Sequence, residues 1–303
     1  MQADIVVIGG GIWGLSTAFH LARAQTGKSI VLLERNADLA TETTLRAAGQ
    51  IGQLRSDPLM VKAVRYTLNL YAEFNDIAGH DAHFVRSGSL HLAHCEARMA
   101  AFESELSRAK AAGIEAEIAS SQLITKIAPT ICQSEIVGAL HVPGDGYVDA
   151  HRCALALAAA AEELGVAIRR GETVAEICPG SNGRHTIVSD KGTYETNSLV
   201  VTTGPWAGRV AAMANIELPM FPIRLQQART VADVNQPSNH PVVRIPDKSC
   251  YLRPEKEGYL YGYFDGNPVA YDLMRQSLAF STDEIAAPTN LIDEARTLLS
   301  PTL

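Results

Sequence analysis

Long apolar runs are missing from this 303-residue sequence. The longest, Cys153 to Ala161, is mostly alanine and about half of what a bilayer requires, so no transmembrane segment is expected. Cysteine is sparse and unpaired. The five residues, Cys95, Cys132, Cys153, Cys178 and Cys250, are odd in number and form no CxxC motif, which argues against a disulfide framework and leaves reduced, buried or inert thiols as the expectation. Positive charge is in deficit: 26 Lys and Arg against 33 Asp and Glu give a net charge of −7, unfavourable for nucleic acid or an anionic membrane as partner. Nine histidines are scattered. His91 and His94 stand at i, i+3 beside Cys95 without a fourth ligand nearby, so they read as a solvated strand edge and no metal site is expected. No internal repeat occurs, and the one biased stretch is the alanine-rich segment after Ala154. No basic and apolar leader fits before the first strand at Asp4, so a cytoplasmic location is expected. What remains, 47% hydrophobic and 19% charged residues, is ordinary for a globular protein long enough for about two domains.

The organising stretch is Met1 to Glu34. Ile5, Val6, Val7 and Ile8 make a short β-branched run that reads as a buried strand. Gly9, Gly11 and Gly14 follow at once, then Leu15, Ala18, Phe19 and Leu21 recur at helical spacing. In such a turn Gly9 allows the bend, Gly11 lets the backbone approach a pyrophosphate, and Gly14 lets the helix pack on the strand, while the helix N-terminus offers unpaired N–H groups. Ser29 to Leu33 reads as a second strand ending in Glu34, where a carboxylate can accept hydrogen bonds from ribose hydroxyls. The set predicts dinucleotide binding.

A nucleotide domain built for NAD would continue with another helix and strand. Here Arg35 to Gln53 is polar and threonine-rich, and the small residues Ala47, Ala48, Gly49 and Gly52 suit a wall against which a bulky cofactor lies. Asp57-Pro58 starts a helix with Val61, Val64, Leu68, Tyr71 and Phe74 on its core face. Phe84 to Ala93 reads as a strand, Glu96 to Ala112 as a helix, Ile114 to Ile118 as a strand, Ser121 to Ile127 as a short helix and Gly138 to Val142 as a strand. An alanine-rich helix runs from Asp149 to Leu164, and strands follow at 166–168, 174–178, 186–189 and 198–202. Pro219 to Phe264 contains alternating segments that predict an antiparallel sheet, a floor for a substrate cavity, and Leu291 to Leu299 an amphipathic helix. The expected class is α/β with an α+β second domain. The nucleotide domain is discontinuous, residues 1–85 and 141–215, and residues 86–140 and 216–303 form the substrate domain.

The segments IVVIGGGIWGLSTAFHLA, TTLRAAGQIGQLRSD, GALHVPGDGYVDAHRCALALAAAAEELGV, VVTTGPWAGRVA and CYLRPEKEGYLYGYF resemble the FAD-dependent amine oxidoreductases of the D-amino-acid oxidase and glycine oxidase family, nearest the flavin domain of dimethylglycine and sarcosine dehydrogenases. The resemblance implies a Rossmann-like FAD-binding domain. The flavin would be held by Gly9, Gly11, Ile12, Trp13 and Gly14, by Glu34 and Arg35, by Thr44, Arg46, Ala48, Gly49 and Gln50, by the backbone near Val174, and by Gly204 and Trp206. It also implies oxidation of a carbon–nitrogen bond of a small secondary or tertiary amino acid, with hydride passing to flavin N5, Arg55 holding the carboxylate and Tyr251 lining the substrate side.

Three departures from the family qualify this. Arg46 stands where relatives carry a histidine bonded covalently to FAD, so the flavin is expected to be non-covalent. Leu225 and Gln227 replace a family histidine and tyrosine. The family's last glycine-rich strand and helix have no counterpart before Leu303, so the alternative expectation is a catalytically impaired fragment, or a subunit that needs a partner chain or a second copy to finish its flavin site.

Overall fold

The computed structural model describes the chain except residues 26, 78–80, 181–182, 232–236, 238, 257, 278, 287–292, 295–296 and 298–303, so most of the helix expected at Leu291 to Leu299 lies outside the described residues. Three sheets organise the rest. The first has six strands in the order Val174–Pro179, His185–Ser189, Thr193–Val201, Gln2–Ile8, Ile30–Glu34 and Ala167–Arg170. Its last four run parallel, and Gln2–Ile8 is paired on both sides, which explains a run apolar at nearly every position rather than alternating. The strand beside Ile30–Glu34 comes from Ala167–Arg170, far along the chain, which accounts for the missing strand after Glu34.

Helices Ile12–Arg23 and Ala150–Glu163 bury Leu15, Phe19, Leu157 and Ala161 against one face of this sheet. On the other face Val6, Ile8, Leu33, Ile177 and Tyr194 pack with Val210 of helix Ala207–Met213. The Asp149 carboxylate caps the alanine-rich helix by accepting the Arg152 N–H, and Asp57 does the same for the Leu59 N–H at the start of helix Pro58–Ile77. That second helix is core only in part. Leu68, Leu70 and Phe74 are buried, whereas Leu59 and Met60 in its first turn are exposed.

The second sheet has seven strands, ordered Gln226–Arg229, Gly258–Tyr263, Cys250–Glu255, Val242–Ile245, Ser89–Ala93, Gly138–Val142 and Glu117–Ile118. It is mixed rather than purely antiparallel, because Val242–Ile245 runs parallel to Ser89–Ala93. The stretch expected as one strand from Phe84 to Ala93 divides at Gly88, whose φ of +77° turns the chain. Phe84–Val85 joins a small sheet with Gln50–Ile51 and Gly146–Val148, and Ser89–Ala93 enters the seven-stranded one. The strand expected at Ile114 to Ile118 is confined to Glu117–Ile118.

Side-chain alternation gives the seven-stranded sheet two unlike faces. Leu90, Leu92, Val243, Ile245 and Leu252 point to one side, where Ile124 of helix Ser121–Ile127 completes a core. Ser89, His91, Arg244, Tyr251, Arg253 and Gln227 belong to the other. The thiols also divide: all five are free, Cys153 and Cys250 buried, Cys178 half-buried, and Cys95 and Cys132 exposed.

The closest packing is at the glycine turn. A Cβ on Gly14 would overlap the Gly9 carbonyl oxygen and lie 2.7 Å from Thr202 Oγ1. Gly14→Val is therefore expected to lower stability by about 1–3 kcal/mol through overpacking, read as a reduced urea midpoint of the apoprotein.

Candidate cofactor and substrate site

A cavity of about 330 Å³ opens at the carboxyl ends of the parallel strands. Of the residues expected at a cofactor, Gly9, Gly11, Ile12, Trp13, Glu34, Arg35, Thr44, Val174, Gly204 and Trp206 line it. Gly9, at φ +109°, makes the turn. Gly11 differs from Gly9 and Gly14. Its φ is −80°, and the only atom near a Cβ added there is Thr44 Oγ1 at 3.4 Å, so the fold itself does not require glycine. The open side of Gly11 is space for a ligand.

The Thr44 hydroxyl accepts the Ile12 N–H at 3.1 Å, leaving other first-turn N–H groups, which a helix cannot pair within itself, for an anion. Glu34 is fixed by two backbone donors, Gly10 N–H at 2.6 Å and Asn36 N–H at 2.8 Å. Those bonds aim the carboxylate at the cavity, where each oxygen keeps a lone pair for a hydroxyl donor. Arg35 lies over the Trp206 ring at 4.2 Å and donates to Glu42 and to the Phe280 carbonyl. Thr203 Oγ1 and Trp206 Nε1, both lining the cavity, are buried without a hydrogen-bond partner among the described residues. Buried polar atoms left unpaired await a partner.

Arg46 is not among the residues that line the cavity. Its guanidinium donates to the Thr41 and Glu42 carbonyls at 2.7 and 2.8 Å and pairs with Asp283. Glu42 in turn accepts from the Thr282 N–H and hydroxyl at 2.9 and 2.5 Å, so residues 280–284 are strapped to the loop that walls the cavity. Burial works against the charged form of the Glu42 carboxyl, but these bonds, with those from Asn36 and Arg35, hold its pKa below the usual value.

Ala48, Gly49 and Gln50 also lie outside the cavity, between the sheets. The Arg46 carbonyl accepts from Gln227 Nε2 at 2.5 Å and the Ala48 carbonyl from Arg253 Nε at 2.6 Å. A Cβ on Gly49, at φ +67°, would overlap the Val148 carbonyl. Gln50 Nε2 is buried and unpaired among the described residues.

The polar face of the seven-stranded sheet looks onto this segment. Ladder pairing sets Gln227, Gly262, Tyr251, Arg244 and His91 side by side in one row. The Tyr251 ring covers Gly262, where any Cβ would collide with it, and its hydroxyl comes to 3.5 Å from Gln227 Oε1. Leu225, by contrast, is exposed. Arg55, half-buried, bears electrostatically on Arg244, His91 and Asp145. His91 is therefore no solvated edge: its strand is central, the residue is 9% exposed, and burial with the charges of Arg244 and Arg55 pushes its pKa down to about 3. Asp145, fully buried, accepts from Ser89 Oγ at 2.6 Å and from the Gln53 N–H and amide at 2.9 and 3.2 Å; burial raises its pKa and those bonds partly offset it. Sequence reading singled out Arg55 and Tyr251 but passed over Gln53, Ser89, Asp145 and Arg244, whose neighbours are set by strand register. For the cavity it passed over Asn36, Glu172 and Thr203, although the TTGPW turn holds Thr203.

The profile of the family described as DAO, FAD dependent oxidoreductase, matches residues 4–303. The chain belongs to that family. Human mitochondrial dimethylglycine dehydrogenase is 30% identical to this chain over 268 residues, covering 87% of the chain but 31% of the relative. The mouse pyruvate dehydrogenase phosphatase regulatory subunit is 31% identical over 271 residues, 88% of the chain and 30% of the relative. The chain thus spans about a third of these relatives' lengths. The solved L-proline dehydrogenase of P. horikoshii superposes with a TM-score of 0.85 at 22% identity, covering 99% of the chain and 77% of that protein, a likeness of fold.

FAD, the family's cofactor, fits the residues present. The orphaned Thr203 Oγ1 and Trp206 Nε1, the open side of Gly11 and the free first-turn N–H groups suit its ribose and phosphate part, and the close-packed Ala48–Gln50 segment suits a flat ring. Gly11→Val should leave the apoprotein's urea midpoint nearly unchanged while abolishing the rise in melting temperature on adding FAD; a retained rise would place the phosphates elsewhere. NAD should give no such rise in the unaltered protein.

His91 links stability to pH. Above 6.5 it is neutral folded and unfolded; as pH falls from 6.5 toward about 3, the unfolded chain takes up a proton that the folded one refuses, so stability is lost across that window. His91→Gln is expected to lose less stability between pH 7 and pH 5 than the unaltered protein, measured by urea unfolding at both values.

Proposed function

We propose that this chain is the flavin and substrate-binding unit of an amine oxidoreductase acting on the C–N bond of a small secondary or tertiary amino acid such as sarcosine or dimethylglycine. The observation that carries the reading is the polar row Gln227, Tyr251, Arg244, His91 on one sheet face, set against the segment from Arg46 to Arg55 that continues from the cofactor cavity. Gly9, Gly11, the first-turn N–H groups and Glu34 hold the pyrophosphate and ribose of FAD; Thr203, Gly204 and Trp206 close that end. FAD held there would supply a two-electron acceptor for the hydride.

The protein's own residues prepare the substrate. Arg55 pairs with its carboxylate. Tyr251, packed on Phe264 at 5.6 Å between ring centres, borders the amine, and burial raises the pKa of its phenol, which keeps it a neutral hydrogen-bond donor. Guanidiniums nearby disfavour an ammonium, so the amine binds in the deprotonated form that gives up hydride readily. Neighbouring positions in the row are one strand spacing apart, about 4.8 Å, the scale of a short amino acid.

Arg46 offers no nucleophile for a flavin link, so acid precipitation is expected to release the FAD into a yellow supernatant; flavin kept in the pellet contradicts this. The function itself is tested by mixing the FAD-loaded chain anaerobically with sarcosine or dimethylglycine, which should bleach the visible flavin band. A second reading, a non-catalytic flavoprotein subunit acting through a partner chain, draws on the match to a regulatory subunit. A fully loaded flavin that no small N-methyl amino acid reduces would favour it and sink the first.

A further inference from the structure

Arg244 stands on the strand Val242–Ile245, half-buried in the polar row between Tyr251 and His91. Its guanidinium has neither a hydrogen bond nor an ion pair among the described residues, and the same is true of Arg55. A guanidinium carries five N–H donors, and neither of these half-buried groups spends them on the described residues, so they are left to solvent or to a ligand. They also oppose each other: Arg55 and Arg244 are near enough for the charge of one to destabilise the charge of the other. Two carboxylates ease this repulsion through space without pairing with either guanidinium. Asp145 bears on Arg244 through space, but its Oδ1 is already taken by the Gln53 N–H and amide and its Oδ2 by the Ser89 hydroxyl. Glu105, on helix Glu96–Ala111, also acts at a distance and forms no ion pair with it. His91 beside it is neutral at physiological pH and cannot act as the counter-charge.

The geometry is that of a site prepared for an anion from outside the chain. We propose that Arg244 is a second carboxylate-binding residue, acting with Arg55, so that the substrate's carboxylate lies between two guanidiniums and its amine points along the row toward Tyr251. The inference rests on the reading of this face as the substrate site and narrows it: the substrate is a short amino acid bearing a free carboxylate, and an amine without one is refused. Refusal follows from the charges, since an amine without a carboxylate would leave the two guanidiniums facing one another with no anion between them. The Gln53–Ser89–Asp145 cluster serves by position. Asp145, held by Gln53 and Ser89, acts on Arg244 through space and forms no ion pair with it, which eases the repulsion while leaving the donors free.

The test uses the FAD-loaded chain and acetate, a probe that carries a carboxylate and no amine, with acetamide as the uncharged counterpart. Binding is followed by perturbation of the visible flavin spectrum and separately by calorimetry. Acetate should bind and acetamide should not. Arg244→Met should weaken acetate roughly 30-fold or more, and Arg244→Lys should recover part of that loss because charge returns without the planar fork. Both variants should keep the FAD affinity of the unaltered chain, which shows that the site has not collapsed. Where an amino acid reduces the flavin, Arg244→Met should raise KM with kcat largely retained, and its isosteric ester should react poorly with every version. If acetate binds Arg244→Met and Arg244→Lys as tightly as the unaltered chain while Arg55→Met loses it, Arg244 is not a ligand, although the substrate face stands. Equal acetate affinity in the Arg55 and Arg244 variants alike overturns the inference and the placement of the carboxylate on this face together.

Discussion

Everything in the nucleotide half depends on one close approach, that of the first helix to the first strand. Because Gly14 has no side chain, the helix backbone comes down onto the Gly9 carbonyl and the Thr202 hydroxyl, and Thr202 in turn donates to the carbonyls of Ile8 and Gly9. That contact brings three chain segments to one point and aims the helix N-terminus along the strand axis. Glu34 is then within reach of the Gly10 N–H, and the cavity mouth is defined by backbone rather than by mobile side chains. An anion site built in this way needs no cationic side chain, which agrees with a chain whose net charge is −7.

The second half works by alternation. One face of the seven-stranded sheet is given to Leu90, Leu92, Val243, Ile245 and Leu252, and buries them as an ordinary core. Its reverse gathers Ser89, His91, Arg244, Tyr251, Arg253 and Gln227. Three of these, Ser89, Arg253 and Gln227, are tied to the opposing segments by hydrogen bonds to Asp145, the Ala48 carbonyl and the Arg46 carbonyl. Those bonds join the two sheets across the region where a flat ring would lie. They also explain why Arg253 can be 5% exposed: it is paired with Glu255, bonded to carbonyls and stacked on Tyr147, whereas Arg244 on the same face has none of these.

A third element is the strap over the cofactor loop. Arg46 and Glu42 hold residues 280–284 against it from both sides. The Arg46 guanidinium is spent on internal bonds, to the Thr41 and Glu42 carbonyls and to Asp283.

The sequence by itself determined the features whose causes are local. The strand, the glycines, the helix caps at Asp57 and Asp149, and the carboxylate at Glu34 are each specified by residues within a few positions of one another, and all are found where their spacing puts them. The family was legible for the same reason, since its motifs are contiguous. What only the tertiary structure decided was partnership across the chain. His91 was read as a solvated edge because no local signal tells a central strand from an edge one; Phe84 to Ala93 was read as one strand because a single glycine bend looks like tolerance until two sheets claim its two halves. Nothing local marks Arg244, one arginine in an apolar strand. Its position between Tyr251 and His91 comes from a parallel pairing on one side and an antiparallel pairing on the other, and register of that kind is set by long-range packing rather than by any neighbour in sequence.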